Sequence, residues 1–182
     1  KKGFTLLWPW PIENSEAKAE NQRLVTEEKE GRFSAVITGQ TAQFVFRGQL
    51  EAQEREIKFT YEFEARQEIP DCRVCVSSNG RTVAGLNYEW GARPDLPEGI
   101  GCFDAVNPEV DRAVSYFKIF DLNGRQATWH FTQPLADFEA RQWHRYRLNP
   151  KNSIILFALK PFLESPILPG KRGRIEFSLT IE

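Results

Sequence analysis

The sequence predicts an all-β fold, an antiparallel β-sandwich of jelly-roll type with about 10 to 12 strands. Three observations carry that prediction. Between Lys58 and Arg66, the residues Phe59, Tyr61, Phe63 and Ala65 alternate with Lys58, Thr60, Glu62, Glu64 and Arg66. A period of two sends these sets to opposite faces of a strand, one dry and one wet. The signature returns between Arg174 and Ile181, where Ile175, Phe177, Leu179 and Ile181 alternate with Arg174, Glu176, Ser178 and Thr180. Short β-prone runs separated by turn residues fill the chain between them, and no amphipathic stretch reaches the roughly 12 residues of a convincing helix.

In chain order, Gly3 to Trp8 reads as a first strand, ended by Pro9 and Pro11. Glu13 to Gly31 is polar throughout and reads as a loop, or as a short helix around Ser15 to Leu24. Strands are then expected at Phe33–Thr38, Ala42–Leu50, Lys58–Arg66, Arg73–Ser77 and Val83–Trp90. Gly39-Gln40 and Ser78-Asn79-Gly80 read as hairpin turns, the second because Asn-Gly tolerates positive φ. Gly91 to Val110 has no periodicity and reads as one long loop, a kind of segment that often carries function. Strands resume at Ala113–Phe120, turn at Asp121 to Gly124, and return at Arg125–Phe131. Pro134 to Ala140 reads as a connection, followed by strands at Trp143–Leu148, Ile154–Lys160 and Arg174–Ile181. A single flat sheet of that many strands would curl or split into two layers, and this favours the sandwich.

Bulk properties narrow the function classes. The chain of 182 residues is expected to form one domain, residues 1–182, with a core of its own. Its 24 basic and 25 acidic residues give a net charge of −1, which offers a nucleic-acid partner no electrostatic support. No apolar run approaches the ~18 residues of a membrane span. The chain has no Met, and the expectation is a processed protein or a module of a larger chain. Cys72 and Cys75 form a C-x-x-C pair inside a strand-like run. Residues three apart in a strand face opposite ways, so zinc is not expected there; small buried residues, or one bridge from Cys102, are. Five tryptophans, Trp8, Trp10, Trp90, Trp129 and Trp143, are a rich supply, and an indole N–H favours positions touching a surface, ligand or neighbouring domain. The pair flanking Pro9 reads as a seam against such a domain, or alternatively as a binding tip.

The last forty residues show a tryptophan-led strand from Trp143, an apolar strand from Ile154 and the closing alternating strand. With Lys58–Arg66 as a central aromatic strand, this order resembles carbohydrate-binding modules of the galactose-binding-like jelly-roll kind, which are attached to glycoside hydrolases. The resemblance lies in pattern and order over most of the chain, without a signature motif. It implies non-catalytic binding of a polysaccharide or oligosaccharide, an adjacent catalytic domain in the same chain, a secreted or cell-surface setting, and a bound calcium ion in many members.

Carbohydrate binding calls for particular residue types. Sugars lay C–H faces on aromatic rings and offer hydroxyls to amides and charges, so a platform needs both on rigid strands. Alternation displays Trp143 with Arg145 and Arg147, and Asn87 with Glu89; Tyr116, Lys118 and Trp90 are neighbours of this set. The competing reading makes the arginines and Glu89 cross-strand ion pairs on a solvated face. Asp104, Asn107 and Asp111 gather oxygen ligands suited to calcium within one loop, or form a solvated acidic loop; their spacing is not that of an EF-hand. No catalytic residues are assigned: there is no nucleophile elbow, no phosphate loop and no singled-out carboxylate pair. The expected function is therefore a non-catalytic carbohydrate-binding module. The alternatives are a structural or interaction sandwich supporting a catalytic domain, and a small β-sandwich lyase or hydrolase.

Overall fold

The period-two pattern of Lys58–Arg66 translates directly into burial: Phe59, Tyr61, Phe63 and Ala65 are all buried, while Lys58 and Glu64 are exposed. The computed structural model describes residues 20–70, 72, 74–79, 85–102, 110–111, 114–132, 139–142, 154–159, 161–162 and 164–182; at 74–79, 110–111, 139–142 and 154–159 it describes the backbone. Among these residues there is no helix. The strands are β1 (Glu20–Lys29), β2 (Arg32–Gln40), β3 (Phe44–Gln53), β4 (Glu56–Ala65), β5 (Val74–Asn79), β6 (Asn87–Gly91), β7 (Gly99–Cys102), β8 (Val110–Asp111), β9 (Tyr116–Phe120), β10 (Gln126–Phe131), β11 (Glu139–Gln142), β12 (Ile154–Leu159) and β13 (Arg172–Ile181).

They make two antiparallel sheets of unequal size. A nine-stranded sheet runs β1-β2-β3-β4-β13-β10-β9-β6-β7, and a four-stranded sheet runs β5-β12-β11-β8. The closing strand β13 is central to the large sheet, pairing β4 on one side and β10 on the other. One face of this sheet is the core. Phe177 lies opposite Phe59 with rings stacked at 4.7 Å, and Trp129 lies opposite Phe117 edge-on at 6.4 Å. Cys72, Val114 and Phe162, which flank strands of the small sheet, join the same cluster, as do Ile69 and Ile167. Burying an aliphatic or aromatic side chain is worth about 1.5–3 kcal/mol each, so this one face supplies most of the hydrophobic stabilisation among the described residues.

Several expected elements differ. Glu20–Lys29, expected as loop or helix, is strand β1. It pairs with β2 through a two-residue turn in which Glu30 and Gly31 have φ of 51° and 76°, the left-handed geometry that hairpin turns require. Its polarity on both faces reflects an edge strand exposed along its whole length. Gly39 and Gln40 belong to β2, and the turn follows at Thr41, whose Oγ1 accepts from the N–H groups of Gln43 (3.1 Å) and Phe44 (3.0 Å). The glycine at 39 serves packing, since a Cβ there would sit 2.6 Å from Cζ of Phe46. The long loop from Gly91 to Val110 is interrupted by β7, which returns against β6, and Glu139–Ala140, expected in a connection, begin β11. The Asp121 to Gly124 turn is as expected: the Asp121 carboxylate accepts from the N–H groups of Asn123 and Arg125 at 2.8 and 3.0 Å, and Gly124 takes φ of 81°. The strands expected at Gly3–Trp8 and Trp143–Leu148, with Trp8 and Trp10, lie outside the described residues. Cys72 is buried and Cys102 is an exposed free thiol, so Cys102 forms no bridge.

Candidate functional site

The face of the large sheet opposite the core changes character along its width. Over β3, β4 and β13 it carries a ladder of charges: Arg47–Glu62 at 3.7 Å, Arg174–Glu62 at 3.5 Å, Arg172–Glu64 at 3.0 Å, and Arg174–Glu176. Their side chains are between 34% and 83% exposed, the regime in which ion pairs contribute little. A groove of 630 Å³ crosses the nearby ends of β1 to β4, lined by Glu27, Lys29, Arg32, Glu51, Glu56 and Lys58. Phe33 is the one aromatic in its lining, so it offers little for a sugar to stack on.

Over β6, β9 and β10 the same face is shielded. Cross-strand register builds three rows. Asn87, Phe120 and Gln126 form the first; Glu89, Lys118 and Thr128 the second; Gly91, Tyr116 and His130 the third. The Lys118 ammonium lies 3.1 Å from a Glu89 carboxylate oxygen, with side chains only 27% and 13% exposed, and 5.3 Å from the Phe120 ring centre. The cation is thus held between a carboxylate and an aromatic face. An aromatic ring flanked by two amides, Asn87 and Gln126, heads the group.

Tyr116 lies beside it, with its hydroxyl buried and without a hydrogen-bond partner among the described residues. Burial raises its pKa above the ordinary tyrosine value, and the carboxylates of Glu89, Asp95 and Glu98 raise it further. The phenol is therefore held neutral. The loop that brings these acids near is tied down: Glu98 N–H donates to the Trp90 carbonyl at 2.9 Å, and the Glu98 carboxylate accepts from Ala92 N–H at 3.1 Å.

Of the residues singled out from sequence, Asn87, Glu89, Tyr116 and Lys118 come together on this face. Trp90 does not join them. One residue beyond Glu89, it points to the opposite face and packs against the core, with its indole over Gly99. That contact explains the glycines of Gly99-Ile100-Gly101: a Cβ at 99 would overlap Trp90, and one at 101 would overlap Tyr88. Trp143, Arg145, Arg147, Asp104 and Asn107 lie outside the described residues. Asp111 is in β8, opposite Glu139 of β11. Among the described residues no three His, Cys, Asp or Glu side chains gather to hold a metal. Phe120, Gln126, Thr128 and His130 complete this face. The alternation of Arg125–Phe131 offers two sets, either Ala127, Trp129 and Phe131 or Gln126, Thr128 and His130, as the outward one, and the burial of the first set turns the second outward; Phe120 carried no such signal.

The architecture is that of an antiparallel β-sandwich. No protein-family model and no curated protein sequence matches the chain. Solved structures do. An α-galactosidase of Geobacillus stearothermophilus, in complex with stachyose, aligns with TM-score 0.54 at 14% identity, over 100% of this chain and 27% of that one. The α-galactosidase of Lactobacillus brevis aligns with TM-score 0.54 at 9% identity, over 98% of this chain and 28% of that one. A protein of Escherichia coli classed as a candidate aldose 1-epimerase aligns with TM-score 0.51 at 12% identity, over 88% of this chain and 68% of that one. At such identities the likeness establishes the fold. The chain spans little more than a quarter of each of these α-galactosidases.

Proposed function

We propose that this domain is a non-catalytic carbohydrate-binding module of a polysaccharide-degrading enzyme, and that it binds glycan on the shielded end of the outer sheet face. The observation that carries the reading is the row Asn87–Phe120–Gln126 set beside the Glu89–Lys118 pair. It supplies a ring for a sugar C–H face, amides for hydroxyls, and a charge pair already held in place by a sheet. Binding in this arrangement needs little conformational change. Trp143, Arg145 and Arg147, which lie outside the described residues, belong to the proposal as further glycan-contacting residues, and Tyr116, its hydroxyl buried, borders the platform. The fold likeness to parts of much longer glycan-active enzymes supports an adjacent catalytic domain in the same chain. A secreted or cell-surface setting, and a structural calcium held by Asp104, Asn107 and Asp111, belong to the same proposal.

Affinity electrophoresis through gels containing a panel of polysaccharides tests it. At least one glycan should retard the domain, and Phe120→Ala and Trp143→Ala should each abolish or strongly reduce the retardation. Absence of retardation in every gel would instead favour a structural sandwich. Release of reducing sugar from the same panel would make the domain an enzyme.

A further inference from the structure

The nine-stranded sheet ends in β1, which bonds only to β2 among the described residues, and all ten β1 residues are exposed. A long exposed edge is a template for another strand, and charges on it usually discourage that. On β1 the charges are arranged otherwise. Pairing with β2 is regular from Arg23 to Lys29. Arg23, Val25 and Glu27 therefore share the outer face, with Val25 50% exposed and Leu24, on the inner face, 58% exposed. Their neighbours on β2 are Thr38, Val36 and Ser34, none of them charged.

We propose that two copies of this chain associate through β1, antiparallel, about a two-fold axis at Val25. Such an axis, perpendicular to the sheet, opposes residues of the same face. Centred on Val25 it places Arg23 opposite the partner's Glu27, and Glu27 opposite the partner's Arg23. Valines meet between the two ion pairs, and with Val36 on each side they form a continuous four-valine row. Other centres fail. Centring on Arg23 or Glu27 sets like charges face to face, centring on Thr26 opposes Arg23 with the partner's Lys29, and centring on Leu24 leaves Arg23 opposite valine. Opposed unlike charges stabilise cross-strand pairs and like charges destabilise them, so the sequence of β1 is self-complementary in one register.

Sedimentation equilibrium over a concentration series tests this, with circular dichroism confirming that each variant is folded. The chain should dimerise. Arg23→Glu and Glu27→Arg should each raise the dimer Kd roughly tenfold or more, as two ion pairs become two like-charge pairs. The double variant Arg23→Glu, Glu27→Arg should return the Kd to near that of the unaltered chain. Val25→Cys should cross-link into a covalent dimer on mild oxidation, since directly opposed strand residues lie within disulfide range. A monomer at every concentration would overturn the proposal, as would a dimer indifferent to the single charge reversals.

Discussion

The two ends of one sheet face differ in what surrounds the same kinds of side chain. Over β3, β4 and β13, glutamates and arginines pair in the open, most of their side chains at least 46% exposed. Over β6, β9 and β10, Glu89 and Lys118 make a comparable contact at 13% and 27% exposure, beside a buried phenol and against a phenylalanine. Distance alone would not separate them: Arg172–Glu64 is 3.0 Å and Lys118–Glu89 is 3.1 Å. Solvent access does. Exposed pairs are screened and typically contribute ~0.2–1 kcal/mol, whereas a shielded charge that loses its partner keeps the cost of its own desolvation. Recognition also requires charge, amide and ring held in fixed positions on strands, so the shielded end is the candidate site and the open end is solvated surface.

The comparison can be broken most severely from beneath. Gly99→Ala puts a methyl group into the Trp90 indole, and overpacking of this kind costs roughly 1–3 kcal/mol. Urea denaturation should show that loss, and glycan retention should fall with it, because β6 carries Asn87 and Glu89. Next in size, Lys118→Ala should destabilise by about 1–2 kcal/mol by stranding Glu89. Arg172→Ala at the open end should cost ~0.5 kcal/mol or less. Equal losses at both ends would remove the distinction. The smallest effect is at alkaline pH. Burial raises the pKa of Tyr61 and of Tyr116, so both stay protonated after tyrosines of the unfolded chain ionise near pH ~10. Their contribution is intact below that pH and is lost as pH rises through the folded-state values. Stability measured by denaturant titration should therefore decline above about pH 10, less steeply in Tyr116→Phe. An unchanged slope would mean the phenol is not shielded.

The sequence was informative where one face of a strand is dry. Phe59 to Ala65 and Ile175 to Leu179 declared their faces, and the same parity sorted Asn87 and Glu89 from Tyr88, and Lys118 from Phe117. It was silent where that contrast is missing. Strand β1 is wet on both faces and so resembles a loop. Strand β7 has glycines where inward side chains would alternate, because Tyr88 and Trp90 already occupy that space. Adjacency was harder still. Nothing in residues 87–91 says that 116–120 will lie beside them, since pairing across that separation depends on how the whole core packs. Asn87, Glu89, Tyr116 and Lys118 could be named individually, while the row completed by Phe120 and Gln126 required the register.

Hydrogen exchange with and without a retained polysaccharide tests the central claim most directly. Glycan binding should slow exchange at the backbone amides of β6, β9 and β10, around Asn87, Glu89, Lys118, Phe120 and Gln126, and leave β1 to β3 unchanged. Protection centred on the charged groove of Glu27, Arg32 and Glu51, or none on β6, β9 and β10, would contradict it.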